Sequence, residues 1–262
     1  MITDHNGKKW LKVGLHTHTT LSDGKKTPEE VIAMYAEGGY DVLAITDHWK
    51  YAEGGQTQGM QLLSGCEYDM AGTDQISDRE LTFHIVGVGM AYDPQLPAEY
   101  RRKTCQVSIY ERVRTVVEKI RQAGGLAILA HPAWSLNTPE QIRNCGTDFD
   151  AVEIYNSVSE HHMSDRPYSG QIVDMLASEG IWYPIVATDD THYYTGDEMR
   201  GITMVDAAVA EEKGLLEAIR AGACYGTQGP ELSMERISED EVRITCSPAV
   251  KVAFLSNVPW VP

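Results

Sequence analysis

Short apolar runs alternate with longer segments of helical periodicity, and this alternation constrains the fold more than any other feature. We predict strands at residues 11–15, 41–46, 62–65, 83–89, 126–130, 151–155 and 183–187. We predict helices at residues 28–37, 99–123, 138–144, 170–179 and 210–221. Repetition of strand and helix is typical of a parallel sheet with right-handed crossovers. About seven such units favour a closed or distorted (β/α) barrel over an open sheet.

The last part of the chain has a different pattern. Residues 233–237 and 242–246 flank the polar segment Ser238-Glu239-Asp240-Glu241, which predicts an antiparallel hairpin. Residues 251–255 could add one more strand. We therefore predict a barrel over residues 1–230 and a C-terminal β-hairpin extension over residues 231–262, packed on the barrel.

Composition excludes several classes of protein. The chain has 262 residues and a formal net charge of -16, which opposes stable binding to nucleic-acid backbones and to anionic membranes. No apolar run approaches the roughly 20 residues that cross a bilayer, and the polar N-terminus does not resemble a signal peptide. The five cysteines are dispersed, which argues against a disulfide framework or a thiolate zinc site. We expect a cytoplasmic protein.

Titratable side chains lie at the ends of the predicted strands. They are His16, His18, Asp23, His48, Glu67, His84, His131, Asp190 and His192. Barrel enzymes carry their catalytic residues at the C-terminal ends of several strands. Residues two apart on an extended chain project to the same side, so His16 and His18 can converge on one cation. Imidazole and carboxylate without thiolate suit zinc, manganese or ferrous iron.

Each of these residues alone has a simpler interpretation. A pair of histidines is more often surface or satisfied core, Asp23 before Gly24 is typical of a turn, and Glu67 could be a solvated carboxylate. Taken together, buried polar groups at every strand end would each need a partner, and metal coordination supplies one to all of them. The pattern therefore predicts a metal centre.

Seven short motifs occur in order within residues 11–195. They are Gly14-Leu15-His16-Thr17-His18, Ser22-Asp23-Gly24, Ile45-Thr46-Asp47-His48, Gly65-Cys66-Glu67, His84-Ile85-Val86-Gly87, Ala130-His131-Pro132 and Asp190-Thr191-His192. Together they resemble the PHP (polymerase and histidinol phosphatase) family of metal-dependent phosphoesterases. The resemblance implies a distorted (β/α)7 barrel of mixed α/β class that holds two or three divalent metal ions.

The resemblance also implies which residues bind each ion. The sets are His16, His18, Glu67 and Asp190 for the first ion; Glu67, His84 and His131 for the second; and Asp23, His48 and His192 for the third. Glu67 bridges two ions, and Glu67, His131 and Asp190 are the expected catalytic members. Asp189 competes with Asp190 for the ligand position, and we favour Asp190 because it lies two residues before His192.

The implied activity is hydrolysis of a small-molecule phosphoester by a metal-bound hydroxide. Such a substrate needs donors from the protein, and the candidates are Lys25, Lys26, His161, Arg166 and Arg200. Residues 153–156 resemble the family's E-x-x-N strand, in which Asn156 is expected to line the pocket. His161 and His162 are further candidates for protonating the leaving group.

Two alternatives remain. Residues 225–230 and 244–248 resemble a branch of the family that includes carbaryl hydrolase-like enzymes, which implies hydrolysis of a carbamate or amide at the same metals. A non-catalytic, metal-stabilised PHP module is the third interpretation. The complete ligand set argues against it, because inactive modules would be expected to lose ligands.

Overall fold

The computed structural model describes residues 1–4 and 6–255 and shows a mixed α/β fold. Its strands are β1 (Ile2–Thr3), β2 (Lys9–Gly14), β3 (Val42–Ala44), β4 (Gly55–Thr57), β5 (Met60–Leu63), β6 (Gly65–Thr73), β7 (Glu80–Val88), β8 (Leu126–Leu129), β9 (Ala151–Asn156), β10 (Ile185–Thr188), β11 (Ile202–Asp206), β12 (Cys224–Thr227), β13 (Leu232–Arg236) and β14 (Val242–Cys246). Its helices are α1 (Pro28–Glu37), α2 (Ile109–Gln122), α3 (Pro139–Asn144), α4 (Ser157–His161), α5 (Gly170–Ser178), α6 (Ala207–Lys213) and α7 (Leu215–Arg220), with a 3₁₀ helix at Ala98–Arg101.

The strands form two main sheets. The large sheet has seven strands in the order β12-β11-β2-β3-β5-β4, with β1 paired to β2, and the small sheet has five in the order β10-β9-β8-β7-β6. Isolated bridges connect the two sheets, among them Thr17 with Thr191 and His48 with Glu67. The ladders of the described residues are therefore not continuous around the molecule, and the closed (β/α)7 barrel is not confirmed.

The expectation of a parallel sheet is correct for only some of the strands. β2, β3 and β5 pair in parallel, as do β8, β9 and β10. β7 runs antiparallel to both β6 and β8, and β11 runs antiparallel to both β2 and β12. Only residues 74–79 join β6 to β7, and a parallel pair needs a crossover of a dozen or more residues. A uniformly parallel arrangement is therefore wrong here.

Apolar side chains from both sheets fill one core. Leu15, Val86, Ile128 and Val186 are fully buried there, and Val13 joins them from β2. Strands that are buried on both faces read as continuous apolar runs, which is why the sequence pattern located them. The polar residues that follow β2, β3, β8 and β10 lie at the C-terminal ends of these strands, next to this core.

Two of the predicted helices are interrupted in the structure. The predicted helix at residues 99–123 is a 3₁₀ turn followed by α2, and the segment between them is held by the buried Arg112, whose guanidinium donates to the carbonyls of Tyr100 and Arg102. The predicted helix at residues 210–221 is divided at Gly214, whose φ of 89° no helix adopts. Its first half begins earlier, because the side chain of Asp206 caps the helix.

The C-terminal hairpin prediction is confirmed, since β13 and β14 pair antiparallel. The additional strand at residues 251–255 is wrong, because these residues have no regular secondary structure and their side chains are exposed. The boundary between residues 230 and 231 stays a prediction. No helix in the described part of the chain combines the length and apolar character that a membrane span requires.

Candidate metal centre

The predicted ligands converge in space, although Glu67 and His84 lie within β6 and β7 and not at strand ends as expected. Three groups have ligand atoms within 4.8 Å of one another: His16, His18, Glu67 and Asp190; His18, Asp23, His48 and His192; and His48, Glu67 and His84. His131, the ninth predicted residue, lies outside these groups, but its Nε2 is 3.4 Å from Glu67 Oε1. Residues distant in sequence therefore meet in one cluster that both sheets contribute to.

Glu67 occupies the centre of the cluster. Its carboxylate is buried, and its Oε2 lies 3.3 Å from His16 Nε2 and 3.1 Å from His18 Nε2. Its Oε1 lies 2.8 Å from His84 Nδ1 and 3.4 Å from His131 Nε2. The two oxygens of one carboxylate thus face two different sets of imidazoles.

Asp190 completes the first of these sets. Its Oδ1 lies 3.1 Å from His16 Nε2 and 3.0 Å from His18 Nε2. Glu67 Oε2 and Asp190 Oδ1 are both buried and, among the described residues, accept no hydrogen bond of acceptable geometry. Buried polar atoms without partners are rare in folded proteins, and a bound ion is one way to satisfy them.

The charges in the cluster perturb one another. Burial alone lowers the pKa of the His16 imidazole, but the carboxylates of Asp190, Glu67 and Glu153 raise it well above its ordinary value. Burial alone raises the pKa of Glu67, but the facing imidazoles, led by His16 and His48, hold it well below its usual range. Buried charges of this kind persist only when they compensate one another or bind an ion.

Asp23, His48 and His192 form the outer edge of the cluster. Asp23 is about half exposed, with its Oδ1 3.4 Å from His192 Nε2 and its Oδ2 3.7 Å from His48 Nε2. Burial alone lowers the pKa of the His48 imidazole, yet Glu67 and Asp69 raise this pKa to about 9. This edge is the part of the cluster most accessible to solvent.

Two carboxylates outside the predicted ligand set lie beside its imidazoles. Glu153 is fully buried; its Oε1 lies 2.7 Å from His16 Nδ1, and its Oε2 accepts from the backbone N–H of His131 at 2.9 Å. Asp69 Oδ1 lies 3.0 Å from His48 Nδ1. Neither residue is assigned this role from the sequence, although Asp69 lies two residues after Glu67 on β6 and therefore projects from the same face.

The choice between the two neighbouring aspartates follows from their surroundings. Asp189 faces away from the cluster and accepts hydrogen bonds from the Tyr35 hydroxyl and from the backbone N–H groups of Met199, Arg200 and Gly201. Burial raises the pKa of Asp189 to about 6 in spite of these bonds. Asp190, with a left-handed φ of 51°, faces the imidazoles instead. Backbone strain of this kind is typical of functional sites.

A cavity of about 170 Å³ opens onto the cluster. Its lining residues are Asp23, His48, Glu67, His84, His131, Trp134, Met163, Asp190 and His192. Trp134 and Met163 are not among the residues predicted from the sequence, because an apolar residue in a loop carries no signal of its proximity to a site. No lysine or arginine of the described chain lines the cavity.

None of the six candidate substrate-binding residues lines this cavity. Asn156 is buried and donates to Asp190 Oδ2 at 3.1 Å, and it is not among the residues that line the cavity. Lys25 and Arg166 are exposed and do not line the cavity. His161 Nδ1 lies 3.1 Å from the carbonyl of Ser157, in its own helix. The structure thus brings the predicted metal ligands together but not the predicted substrate-binding residues.

Comparison with known proteins gives this cluster a family context. Residues 14–130 match the model of the PHP domain. This segment of the chain is similar to a PHP domain. The matched segment includes the first six of the nine clustered residues, from His16 to His84, and ends just before His131.

Two curated enzymes are similar to parts of this chain. The phosphoribosyl 1,2-cyclic phosphate 1,2-diphosphodiesterase of Eggerthella lenta is 35% identical over 85 residues, which cover 29% of this chain and 30% of that enzyme. The 3',5'-nucleoside bisphosphate phosphatase of Chromobacterium violaceum is 33% identical over 119 residues, which cover 43% of this chain and 39% of that enzyme. The similarity therefore spans less than half of either enzyme.

A solved structure shares the fold over a longer stretch. It is a two-domain protein of Bacteroides vulgatus, described as containing a predicted PHP-like metal-dependent phosphoesterase. It aligns with a TM-score of 0.57 and 16% identity, covering 94% of this chain and 78% of the other. Taken with the domain match, this similarity supports a PHP-like arrangement of the strands.

Proposed function

We propose that the protein is a metal-dependent hydrolase, and more specifically a phosphoesterase with a two- or three-metal centre. The observation that carries the proposal is the position of Glu67. Its two carboxylate oxygens face separate sets of imidazoles, as an anion between two cations would. Two divalent ions roughly 4 Å apart repel each other and need such an anion between them.

The residues present fit divalent ions. Glu67 Oε2 and Asp190 Oδ1 are buried oxygens without hydrogen bonds among the described residues, and both face the ring nitrogens of His16 and His18. A cation among them would give both oxygens a partner and would offset the repulsion between the two carboxylates. Imidazole nitrogens with carboxylate oxygens suit zinc, manganese or iron.

Three sets of residues would hold the ions. They are His16, His18, Glu67 and Asp190; Glu67, His84 and His131; and Asp23, His48 and His192. In the structure, His18 also lies beside the third set, and His48 also lies beside the second set. If three ions bind, the ion at Asp23 would be the most accessible to solvent, because Asp23 is the half-exposed member of the cluster.

The protein's own groups prepare this centre for chemistry. Divalent ions, once bound, would neutralise the oxygens of a phosphoester and acidify water. Glu153 holds His16 through Nδ1, which leaves Nε2 facing Glu67 and Asp190. Asn156 holds Asp190 and Glu153 in place through one amide. Trp134 and Met163 form the apolar part of the cavity lining.

Carbamate or amide hydrolysis is the second candidate, and one observation favours it. No described lysine or arginine lines the cavity, so the protein offers no fixed positive side chain to a highly charged phosphate. The same ions would polarise a carbonyl oxygen as well as a phosphoryl oxygen. The substrate in either case is a small molecule.

Elemental analysis and a substrate panel test the proposal. Untagged protein is expected to carry two to three equivalents of a first-row transition metal, as the three ligand groups suggest. Metal-loaded protein is then assayed on phosphomonoesters, phosphodiesters, aryl carbamates and aryl esters. Turnover of carbamates without phosphoester cleavage would replace the first candidate by the second. Less than half an equivalent of metal, without gain after adding zinc, manganese or iron, would refute both.

A further inference from the structure

The cavity at the metal centre has one wall of different chemistry from the rest. Seven of its nine lining residues are carboxylates or imidazoles of the cluster, and the other two are Trp134 and Met163. They come from different loops, Trp134 after β8 and Met163 after α4. Nothing in the proposed hydrolysis itself requires an indole or a thioether at this position.

The indole of Trp134 is held in a fixed orientation. Its ring packs edge-on against His131 at 5.0 Å between ring centroids and against His84 at 5.5 Å. The loop that carries it is closed by backbone hydrogen bonds from Ser135 to His131 and from Asn137 to Pro132. The ring therefore forms a rigid surface beside two of the proposed ligands.

The side chain of Met163 is adaptable by comparison. It is 37% exposed, and it follows α4 in a segment without regular structure. Methionine has an unbranched, polarizable side chain that adjusts to the shape of a bound group. One rigid aromatic surface and one adjustable apolar side chain together can accommodate a flat ring.

The charge of the lining limits the substrate further. The described lining has no lysine or arginine, so any phosphoryl charge must be met by the metal ions alone. A bisphosphate, such as the substrate in the name of the Chromobacterium relative, would place a second phosphate where the lining offers carboxylates, imidazoles and apolar side chains but no lysine or arginine. A monoanionic diester with an apolar group fits this lining better.

We propose that Trp134 and Met163 determine specificity, and that they select esters carrying a flat aromatic group and little charge, such as aryl phosphodiesters. The inference rests on the proposed function, because it assumes that the ester is bound at the metal centre. Trp134 acts here by stacking on the ring of the substrate, which is worth a preference in binding on the order of tenfold.

Two phosphonates that resist hydrolysis isolate the contribution of the ring. Phenylphosphonate and methylphosphonate carry the same anionic head group and differ in the ring alone. Their inhibition constants are measured on metal-loaded protein against turnover of bis(p-nitrophenyl) phosphate, and their dissociation constants are measured by calorimetry. We expect phenylphosphonate to bind more tightly than methylphosphonate, by a factor on the order of tenfold.

Variants then assign the preference to one residue. Trp134→Ala should bring the ratio of the two constants close to unity, and Trp134→Phe should keep most of it. Trp182→Ala is the matched control, because Trp182 is 72% exposed and does not line this cavity. It should keep the ratio of the unmodified protein. Circular dichroism and metal content verify that each variant is folded and loaded.

The outcomes separate this inference from the proposed function. A ratio close to unity in the unmodified protein, or one that Trp134→Ala leaves unchanged, would overturn the selection of an aromatic group while hydrolysis stands. If neither phosphonate binds and no phosphoester is turned over, the proposed function fails and this inference fails with it. The assignment is supported if the ratio falls close to unity in Trp134→Ala but not in Trp134→Phe or Trp182→Ala.

Discussion

Glu153→Gln tests whether a buried carboxylate outside the ligand set controls the metal centre. Glu153 uses both oxygens: Oε1 lies 2.7 Å from His16 Nδ1, and Oε2 accepts from His131 N at 2.9 Å and from Asn156 Nδ2 at 3.0 Å. Glutamine has the same size but a single acceptor oxygen. No orientation of its amide can satisfy all three partners.

Both orientations have a cost that can be worked out. If the amide oxygen faces His16, the NH₂ group faces two donors and two hydrogen bonds are lost, at about 1.5–3 kcal/mol each. If the oxygen faces His131 and Asn156, the NH₂ group faces His16 Nδ1, which must then accept. The imidazole proton moves to Nε2, the atom that faces Glu67 and Asp190. A proton on Nε2 blocks ligation there.

We expect metal affinity to fall about 10- to 100-fold, as is typical when a residue that orients a metal ligand is removed. This loss is equivalent to about 1.4–2.8 kcal/mol. Competition with a chromophoric chelator measures the affinity, and elemental analysis measures the stoichiometry. Glu160→Gln is the control: Glu160 accepts from the Tyr155 hydroxyl at 2.6 Å, a bond that the amide oxygen can keep. A folded Glu153→Gln protein with unmodified metal affinity would refute the orienting role.

Three further predictions concern the same region. Glu67→Gln should lose more bound metal than His48→Ala, because it removes the bridging charge, and its activity should fall at least about 100-fold. A Glu67→Gln protein with full metal content and full activity would exclude the bridge. Asp189→Asn should lower the free energy of unfolding by about 2–4 kcal/mol, because an amide has one acceptor oxygen for the four donors that face Asp189. Urea denaturation measures this loss, and an unchanged midpoint of urea denaturation would contradict the prediction. For metal-free protein, the melting temperature should fall between about pH 7 and pH 9.5. The pKa of His48 is raised to about 9 in the folded state from about 6.5 unfolded, so its stabilisation is present at low pH and lost as the pH rises through 9. Metal-loaded protein should lack this loss, since ligating imidazoles are already neutral, and equal pH dependence with and without metal would refute the reasoning.

The proposed ligands could be predicted from the sequence because a titratable side chain that ends an apolar strand lies beside the core and needs a partner there. His16 and His18 follow β2, so their positions depended only on locating that strand. Glu67 and His84 lie within β6 and β7, so the strand-end argument does not account for their positions. The choice of Asp190 over Asp189 also followed from spacing. The chain direction of β7 could not be predicted from periodicity, because a strand has the same pattern in both directions.

The residues around the ligands were not predicted, for two physical reasons. The contact of Glu153 with His16 joins residues 137 positions apart, and only the folded chain brings them together. Trp134 and Met163 lie in loops, where no periodicity relates a residue to the site. Arg166 and Lys25 were expected near the substrate from their charge alone, and charge does not determine where a loop places a side chain.

The cluster lies where the two sheets meet. His16 and His18 follow β2 of the large sheet, whereas Glu67 belongs to β6 of the small sheet and Asp190 follows β10. The backbone closes the same junction, since Asp190 N donates to His16 O and His18 N donates to Thr191 O. Neither sheet alone carries a complete first set of ligands. An ion held by this set therefore links one sheet to the other. The sheets cannot separate without releasing the ion, so the two processes occur together.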